Sequence, residues 1–203
     1  ANGTAYYSHA IGDVTSEGSR VGGLVGYSVY GFIHYAFAEG TVSANKTGEF
    51  EVGGLIGGSR VDTVNHCYAT GDVVSLYRNV GGLIGYAANH SIITHSYAKG
   101  NVTAGDKTAG GLVGYHEKSG ISYSYAEGSV EAASHAGGLV GYNNNLDTAV
   151  YKSRIRNSYS TGNVSAREKA GGFVGFNASG KISNSYSSGN VLRTSGRSGD
   201  FGG

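Results

Sequence analysis

The chain has 203 residues, of which 37 are glycine and 16 are tyrosine, and it contains no proline, methionine or tryptophan. Its formal net charge of +1 gives no electrostatic reason to expect a nucleic acid or an anionic membrane surface as a partner. No apolar run approaches the roughly 18 residues that span a bilayer, so we expect no direct membrane insertion. The abundance of glycine without proline excludes collagen, and the regular recurrence of Val, Ile, Leu and Tyr excludes a solvated linker.

One unit recurs from the first residues to the last: a short apolar strand that opens on a Gly-Gly pair, a loop, and a second short strand that closes on Val. The opening pairs begin at Gly22, Gly53, Gly81, Gly110, Gly137, Gly171 and Gly202. The closing residues are Val14, Val42, Val73, Val102, Val130, Val164 and Val191. The step from the Ile-type position to the closing Val is nine residues in every copy, whereas the two connections vary in length and are therefore predicted to be surface loops. Residues 1–203 thus form a single repeat domain.

Neither apolar segment is long enough for a helix, and the Gly, Tyr, Val and Ser content disfavours one. Short β-rich segments at a fixed period, with glycines at the corners, predict an all-β fold. We expect a right-handed parallel β-helix, or β-solenoid, of about seven coils of roughly 30 residues, stacked about 4.8 Å apart. Equivalent residues of successive copies then lie in columns.

The columns predict which residues line the core. Neighbouring side chains of a strand point to opposite faces. In the first strand we therefore expect only one of two adjacent residues, the Leu or the Val/Ile that follows it, to face the core, unless the chain bends there. The Ile position and the closing Val complete this core. A further column of rings is predicted to stack, partly exposed, along one face: His9, Phe37, Tyr68, Tyr97, Tyr125, Tyr159 and Tyr186.

The repeat reads Gly-Gly-Leu-Val-Gly-Tyr followed by Ile-x-Asn-Ser-Tyr-Ala-Thr-Gly-Asn-Val, and it resembles the GLUG motif. Residues 171–176 with 155–164, and 81–86 with 64–73, carry the closest matches. The resemblance covers nearly the whole chain. It implies a repeat region of a large bacterial surface or secreted protein, a class that includes adhesins, haemagglutinin-like proteins and metalloproteases that cleave immunoglobulin A1. We therefore expect the chain to lie outside the cell or on the surface of a bacterium.

Two features suggest a segment of a longer polypeptide. The chain starts without an initiator Met or an apolar leader, and its last residues read as the start of another repeat. The His-Glu-x-x-His zinc motif of the metalloproteases is absent from the sequence. Within such an enzyme this segment could only be a non-catalytic module.

Two histidines invite a metal-binding hypothesis. His66 and His95 fall in one column of adjacent coils, about 5 Å apart, at which spacing two imidazoles could share a metal. No third ligand lies in register, and the same column holds Tyr or Asn in the other coils. We expect these histidines to fill that column, with no metal and no cofactor.

Catalytic groups are not clustered in the sequence. Glu39 and Glu127 share a column but are separated by Thr70 and Lys99, and Lys99 is expected to form a surface ion pair with Glu127. Cys67 stands in a column of Ser and Ala and is predicted to be a small buried filler. We therefore expect no catalytic residues and no enzymatic activity.

Two kinds of surface are candidates for ligand binding. The row of tyrosines could stack on sugar faces, although mutual stacking that stabilises the solenoid is the alternative. Apolar residues amid charges on two loops suit protein recognition, although drift in an unconstrained loop is equally consistent. The candidate residues are Tyr68, Tyr97, Tyr125 and Tyr159 of the row, Phe50 of one loop, and Leu146, Tyr151, Arg154 and Arg156 of the long 143–154 connection or beside it.

The leading functional prediction is a non-catalytic, adhesin-like stalk that itself contacts host protein or glycan. The alternative is an accessory module that positions substrate for the distant catalytic domain of a metalloprotease cleaving immunoglobulin A1. A carbohydrate-active β-helix ranks third, because the scattered acidic residues argue against it.

Overall fold

The computed structural model of the protein describes residues 3–45, 51–76, 78–145, 153–194 and 201–202. Within these ranges every regular element is a β-strand of two to five residues. No helix in the described ranges is long and apolar enough to cross a bilayer. The predicted all-β class is therefore confirmed.

The strands follow one another in six complete coils of five strands each, and a seventh coil contributes four more. Coil 1 contains β1 (Thr4–Tyr6), β2 (His9–Ile11), β3 (Val14–Ser16), β4 (Arg20–Gly22) and β5 (Val25–Val29). Coil 2 contains β6 (Phe32–His34), β7 (Phe37–Glu39), β8 (Val42–Ala44), β9 (Glu51–Gly53) and β10 (Ile56–Arg60). Coil 3 contains β11 (Thr63–Asn65), β12 (Tyr68–Ala69), β13 (Val73–Ser75), β14 (Val80–Gly81) and β15 (Ile84–Ala88). Coil 4 contains β16 (Ile92–Thr94), β17 (Tyr97–Ala98), β18 (Val102–Ala104), β19 (Thr108–Gly110) and β20 (Val113–Glu117). Coil 5 contains β21 (Gly120–Ser122), β22 (Tyr125–Ala126), β23 (Val130–Ala132), β24 (His135–Gly137) and β25 (Val140–Asn144). Coil 6 contains β26 (Arg154–Arg156), β27 (Tyr159–Ser160), β28 (Val164–Ala166), β29 (Lys169–Gly171) and β30 (Val174–Ala178). Coil 7 contains β31 (Lys181–Ser183), β32 (Tyr186–Ser187), β33 (Val191–Arg193) and β34 (Phe201–Gly202).

Equivalent strands of successive coils pair in parallel and build five sheets. Sheet A joins β1, β6, β11, β16, β21, β26 and β31, and sheet B joins β2, β7, β12, β17, β22, β27 and β32. Sheet C joins β3, β8, β13, β18, β23, β28 and β33, and sheet D joins β4, β9, β14, β19, β24, β29 and β34. Sheet E joins β5, β10, β15, β20, β25 and β30. This is the stacked parallel β-solenoid that the repeat predicts.

The register of these sheets reproduces the columns read from the sequence. Tyr97 pairs with Tyr125 in sheet B, and Val73 pairs with Val102 in sheet C. Between coils the Leu83 amide donates to the Leu112 carbonyl over 2.9 Å. Residues at equivalent repeat positions are therefore neighbours in space.

Two separate apolar cores run along the solenoid. The larger one combines the Ile position of sheet A, the Ala positions of sheet B, and the Leu-Val or Leu-Ile pair at the start of sheet E. The smaller one lies between sheets C and D and contains the closing Val of each repeat. Many of these side chains are fully buried, as expected for columns covered above and below by the next coil.

The Leu and its apolar neighbour both face the core, which corrects the expectation that only one of the two does. Leu83 and Ile84 are each 0% exposed. Their consecutive amides donate to the same acceptor, the Leu112 carbonyl, over 2.9 and 3.0 Å. The chain therefore bends at this position, and the alternation of a straight strand does not apply.

Glycines permit this bend and let sheets D and E pack backbone to backbone. A Cβ atom on Gly82 would lie 2.1 Å from the Gly111 carbonyl oxygen of the next coil and 2.9 Å from Ala98 Cβ. On Gly85 it would lie 2.4 Å from the Val52 amide nitrogen. The Gly-Gly-x-x-Gly signature is thus a steric requirement, because no side chain fits where these backbones meet.

Candidate functional site

The predicted ring column stands on the outer side of sheet B. Successive ring centroids from His9 to Tyr186 are 4.8 to 5.3 Å apart, with the planes within 8° of parallel. Both faces of Tyr97 are covered by Tyr68 and Tyr125, and Tyr159 continues the stack. The column presents ring edges and hydroxyls to solvent, so a sugar cannot lie on these ring faces. Ligand binding by the column stays a prediction.

The Tyr125 hydroxyl of this column stays neutral in ordinary buffers. Burial, followed by the neighbouring carboxylate of Glu127, raises the pKa of Tyr125 to about 12. Lys99 Nζ lies 3.5 Å from Glu127 Oε2, which confirms the predicted ion pair. Both side chains are more than 40% exposed, so this pair adds little stability.

A second ring column occupies the corner between sheets A and B. His66 and His95 stack with centroids 4.9 Å apart, which confirms their predicted proximity, and they continue the stack of Tyr35 and Tyr123. The corner needs a left-handed backbone, with φ between 48° and 53° in every coil at Tyr7, Tyr35, His66, His95, Tyr123, Asn157 and Asn184. In the described ranges, no three His, Cys, Asp or Glu side chains are grouped to hold a metal.

Cys67 is a buried filler, as predicted. Its side chain is 0% exposed, and its Sγ lies 3.3 Å from the carbonyl oxygens of Ile33 and Asn65. Burial raises the pKa of the thiol above its ordinary value. Such a thiol is a poor nucleophile, because the thiolate is the reactive form.

The candidate residues near the long connection form a basic patch on sheet A. Arg154 and Arg156 are exposed on either side of the buried Ile155, and Lys181 is the register partner of Arg154. The other loop candidates, Phe50, Leu146 and Tyr151, lie outside the described residues. The structure therefore brings the two arginines together but says nothing of the apolar loop residues.

A groove that the sequence reading missed runs along the solenoid between sheets D and E. It encloses about 520 Å³. Sheet D contributes Arg20, Glu51, Thr108 and His135 to its lining, and Asn79 directly precedes the sheet-D strand β14. Sheet E contributes Arg60, Tyr86, Tyr115 and Tyr142, and Arg78 and Lys107 come from the connections that precede sheet D. We call this feature the D–E groove.

The tyrosine wall of the groove is a third ring column. Tyr86, Tyr115 and Tyr142 stack with centroids 5.2 and 4.9 Å apart. The Tyr86 hydroxyl donates to Glu117 Oε2, and the Tyr115 hydroxyl accepts from Asn144 Nδ2 over 2.9 Å. Burial raises the pKa of Tyr115 to about 12 and also raises that of Tyr86. These hydroxyls are therefore neutral.

One arginine fills an interruption in this column. Gly58 replaces the ring between Tyr27 and Tyr86, and the Arg60 guanidinium occupies the space, 5.3 Å from the first ring centroid and 4.9 Å from the second. Its Nη1 donates to the Tyr27 hydroxyl over 2.6 Å, and its Nη2 lies 3.2 Å from Glu51 Oε1. The cation–π contacts and hydrogen bonds hold the guanidinium in place.

Positive charge exceeds negative charge in the groove lining. The only carboxylate among the lining residues named above, Glu51, is shared by Arg20 at 3.0 Å and Arg60 at 3.2 Å. Arg78 pairs at 3.6 Å with Asp106, and both side chains are more than a third exposed, so water screens this pair. Lys107 adds a further exposed cation.

His135 supplies a neutral hydrogen-bonding group at the far end of the groove. Its ring meets that of Tyr142 edge-on, with centroids 5.5 Å apart. Burial, followed by the charge of Lys169, lowers the pKa of His135, so the imidazole is uncharged at neutral pH. Its buried Nδ1 has no hydrogen-bond partner within the described part of the chain.

The groove has a signal in the sequence, although a weak one. In each of coils 1 to 5, one lining residue on the sheet-D side lies seven residues before the ring position of sheet E, as in Arg20 with Tyr27 and His135 with Tyr142. The residue types on the sheet-D side do not repeat, so they form no recognisable column in the sequence. The Arg20 guanidinium lies 4.1 Å from the Tyr27 ring centroid, which shows that this constant spacing marks a real contact.

Comparison with known families finds one match. The sequence profile described as the GLUG motif matches residues 77–103, 105–131, 132–165 and 168–192, which together exceed half of the chain. Comparisons with curated proteins and with solved structures find no match. The coils before residue 77 repeat the same strand order and register, so they extend the same architecture. GLUG repeats occur in extracellular or surface proteins, and the chain belongs to the GLUG-motif family.

Proposed function

We propose that this chain is a non-catalytic extracellular module of a bacterial surface or secreted protein, an adhesin-like stalk whose sides contact host protein or glycan. The observation that carries the proposal is the unbroken parallel pairing of all five sheets through six complete coils. Successive coils are hydrogen-bonded to each other through each of these five sheets, which favours a stiff body with extended lateral surfaces.

The chemistry of the side chains supports a binding role over a catalytic one. The thiol of Cys67 is buried and its pKa is raised, and the Lys99–Glu127 pair is an exposed ion pair. The conspicuous surface features are instead ring columns, the basic patch on sheet A and the D–E groove. Such surfaces suit recognition of a partner along the side of a rod.

The test is to couple the chain to beads and to measure binding to an array of host glycans, matrix proteins and immunoglobulin A1. Saturable binding to a host glycan or matrix protein is the expected result. Binding confined to immunoglobulin A1 would favour the alternative, a module that positions substrate for a protease. Binding no greater than that of blank beads, or chemical turnover of any array component, would refute the proposal.

Variants of the same chain locate the surface responsible. Loss of array binding in Tyr97→Ala with Tyr125→Ala would assign it to the ring column of sheet B. Loss only on deleting residues 146–152 would assign it to the long connection. This deletion is narrower than the whole 143–154 connection, because Asn143 is buried in sheet E and Arg154 belongs to sheet A.

A further inference from the structure

We infer that the D–E groove binds an oligosaccharide that carries carboxylates, as a chain of uronic acid units does. This inference rests on the proposed recognition function and names a site and a ligand class for it. The arrangement of cations along the groove, the hydrogen-bonding groups of its lining and the spacing of the coils support this ligand class.

Four consecutive coils each place one cation in the groove. Arg20 belongs to coil 1 and Arg60 to coil 2, and Arg78 and Lys107 lie in the connections before the sheet-D strands of coils 3 and 4. The residues that carry these cations are therefore offset by about one coil each, or about 4.8 Å along the axis. A ligand with a negative charge on each of several short units would meet this series in register.

The remaining lining suits a ligand rich in oxygen. Asn79 and Thr108 contribute an amide and a hydroxyl to the lining, and the imidazole of His135 completes it at the far end. The stacked rings of Tyr115 and its neighbours present edges, which carry the positive end of the ring quadrupole and attract oxygen atoms. The volume of about 520 Å³ lies in the range of small-ligand sites.

The coil spacing favours a sugar chain over an acidic peptide as the ligand. Side chains on one face of an extended peptide recur about every 6.7 Å, so glutamates in such a peptide drift out of register with cations about 4.8 Å apart. A pyranose unit is about as long as the coil spacing. Successive sugar units of such a chain therefore come level with successive coils.

The ring geometry favours a sugar chain over a single-stranded nucleic acid as the ligand. Nucleic-acid grooves of this size bind through bases stacked on exposed aromatic faces. Here the faces of Tyr86 are covered by Arg60 on one side and Tyr115 on the other. Without a free face to stack on, bases gain little from this wall.

The experiment measures binding of trigalacturonate to the full chain by isothermal titration calorimetry, with its neutral methyl ester as the matched ligand. The double variant Arg78→Gln with Lys107→Gln removes two exposed cations from the groove. The matched control is Arg154→Gln with Arg156→Gln, which makes the same charge change on sheet A. We expect trigalacturonate to bind the groove variant about tenfold or more weakly, and the control within about twofold of the parent chain. Lys107→Gln alone serves if the double variant does not fold.

Three results would overturn the inference: equal affinity for trigalacturonate and its methyl ester, equal losses in the groove variant and the control, or tighter binding of a glutamate hexapeptide or an oligothymidylate. Repeating the bead array with the groove variant separates this inference from the proposed function. If the groove variant binds the array as well as the parent chain does, the proposed recognition function is retained, but the groove is not the surface responsible for it. Trigalacturonate binding without any host ligand on the array supports the groove and refutes the host-recognition role.

Discussion

His116 Nδ1 lies 2.8 Å from Asn143 Oδ1, inside the stacked strands of sheet E where both side chains are fully buried. Asn143 Nδ2 donates in turn to Asn177 Oδ1 over 2.7 Å, and Asn177 Nδ2 donates to the Gly180 carbonyl over 3.0 Å. Because the Asn143 amide nitrogen donates onwards, its oxygen is the acceptor, and the proton of the neutral imidazole sits on Nδ1. The other ring nitrogen, Nε2, has no hydrogen-bond partner in the described ranges.

This buried imidazole should make stability depend on pH. Burial, only partly opposed by the Asn143 hydrogen bond, lowers the pKa of His116 from 6.5 to about 4. The unfolded chain takes up a proton at a higher pH than the folded chain, so the stabilisation is complete above pH 6.5 and is lost as the pH falls towards 4. The free energy of unfolding, measured by urea titration at several pH values, should fall by about 3 kcal/mol from this group alone.

His116→Asn should remove that part of the pH dependence, because it removes the imidazole that takes up the proton. The fold should accept the change, because asparagine already occupies the next two positions of this column, Asn143 and Asn177. His66→Asn is the matched control, because asparagine also occurs in the corner column at Asn157 and Asn184. A change of the same size in both variants would show that the effect does not come from the buried site of His116. An unchanged pH dependence in His116→Asn would contradict the assignment.

Replacement of a bend glycine tests the backbone contact between coils. Gly82→Ala places a methyl group 2.1 Å from the Gly111 carbonyl oxygen, which belongs to rigid backbone. The free energy of unfolding should fall by about 3 kcal/mol or more. Gly120→Ala is the control, since no atom lies within 4 Å of the added methyl group, and its effect should stay below about 1 kcal/mol. Equal effects of the two substitutions would disprove the steric account.

Each stacked tyrosine of sheet B should contribute to stability in proportion to the number of rings that it stacks on. Tyr97 stacks on two rings, and Tyr97→Ala should cost about 1–3 kcal/mol in a urea titration. Tyr97→Phe keeps the ring and should change stability little, as Phe37 already occupies this column. Tyr186→Ala removes a single stack, with Tyr159, and should cost about half as much as Tyr97→Ala. A cost for Tyr97→Phe as large as that for Tyr97→Ala would show that the hydroxyl, not the stack, matters.

The Cys67 thiol should report opening of the larger core. Because it is fully buried with a raised pKa, it should not react with a disulfide reagent at pH 8 until urea unfolds the chain. Fast labelling under native conditions would contradict this burial.

Cys67→Ser should be tolerated within about 1 kcal/mol, because the equivalent Ser96 hydroxyl donates to the Thr94 carbonyl over 2.8 Å and accepts the Cys67 amide over 3.1 Å. Cys67→Leu should overpack the site and cost about 2 kcal/mol. Similar stability of the two variants in a urea titration would argue against close packing at this position.

Much of the architecture follows from the repeat. A constant step between the Ile position and the closing Val predicts stacked parallel strands, and the register Val73–Val102 and Tyr97–Tyr125 confirms it. The same columns placed His66 beside His95 and Lys99 beside Glu127. Alternation along a strand was a poorer guide at Leu83 and Ile84, because two amides that share one acceptor bend the chain and turn both side chains inwards.

The amino-acid sequence by itself determined the period, the parallel stacking and the composition of each column, because neighbours one coil apart are neighbours by repetition. Only the tertiary structure decided which surfaces those columns form. The glycine bend folds sheet E back on sheet D, so cations from four coils line one groove. That convergence depends on how closely two backbones approach within a coil, a distance set by the absence of side chains and not by any periodic pattern.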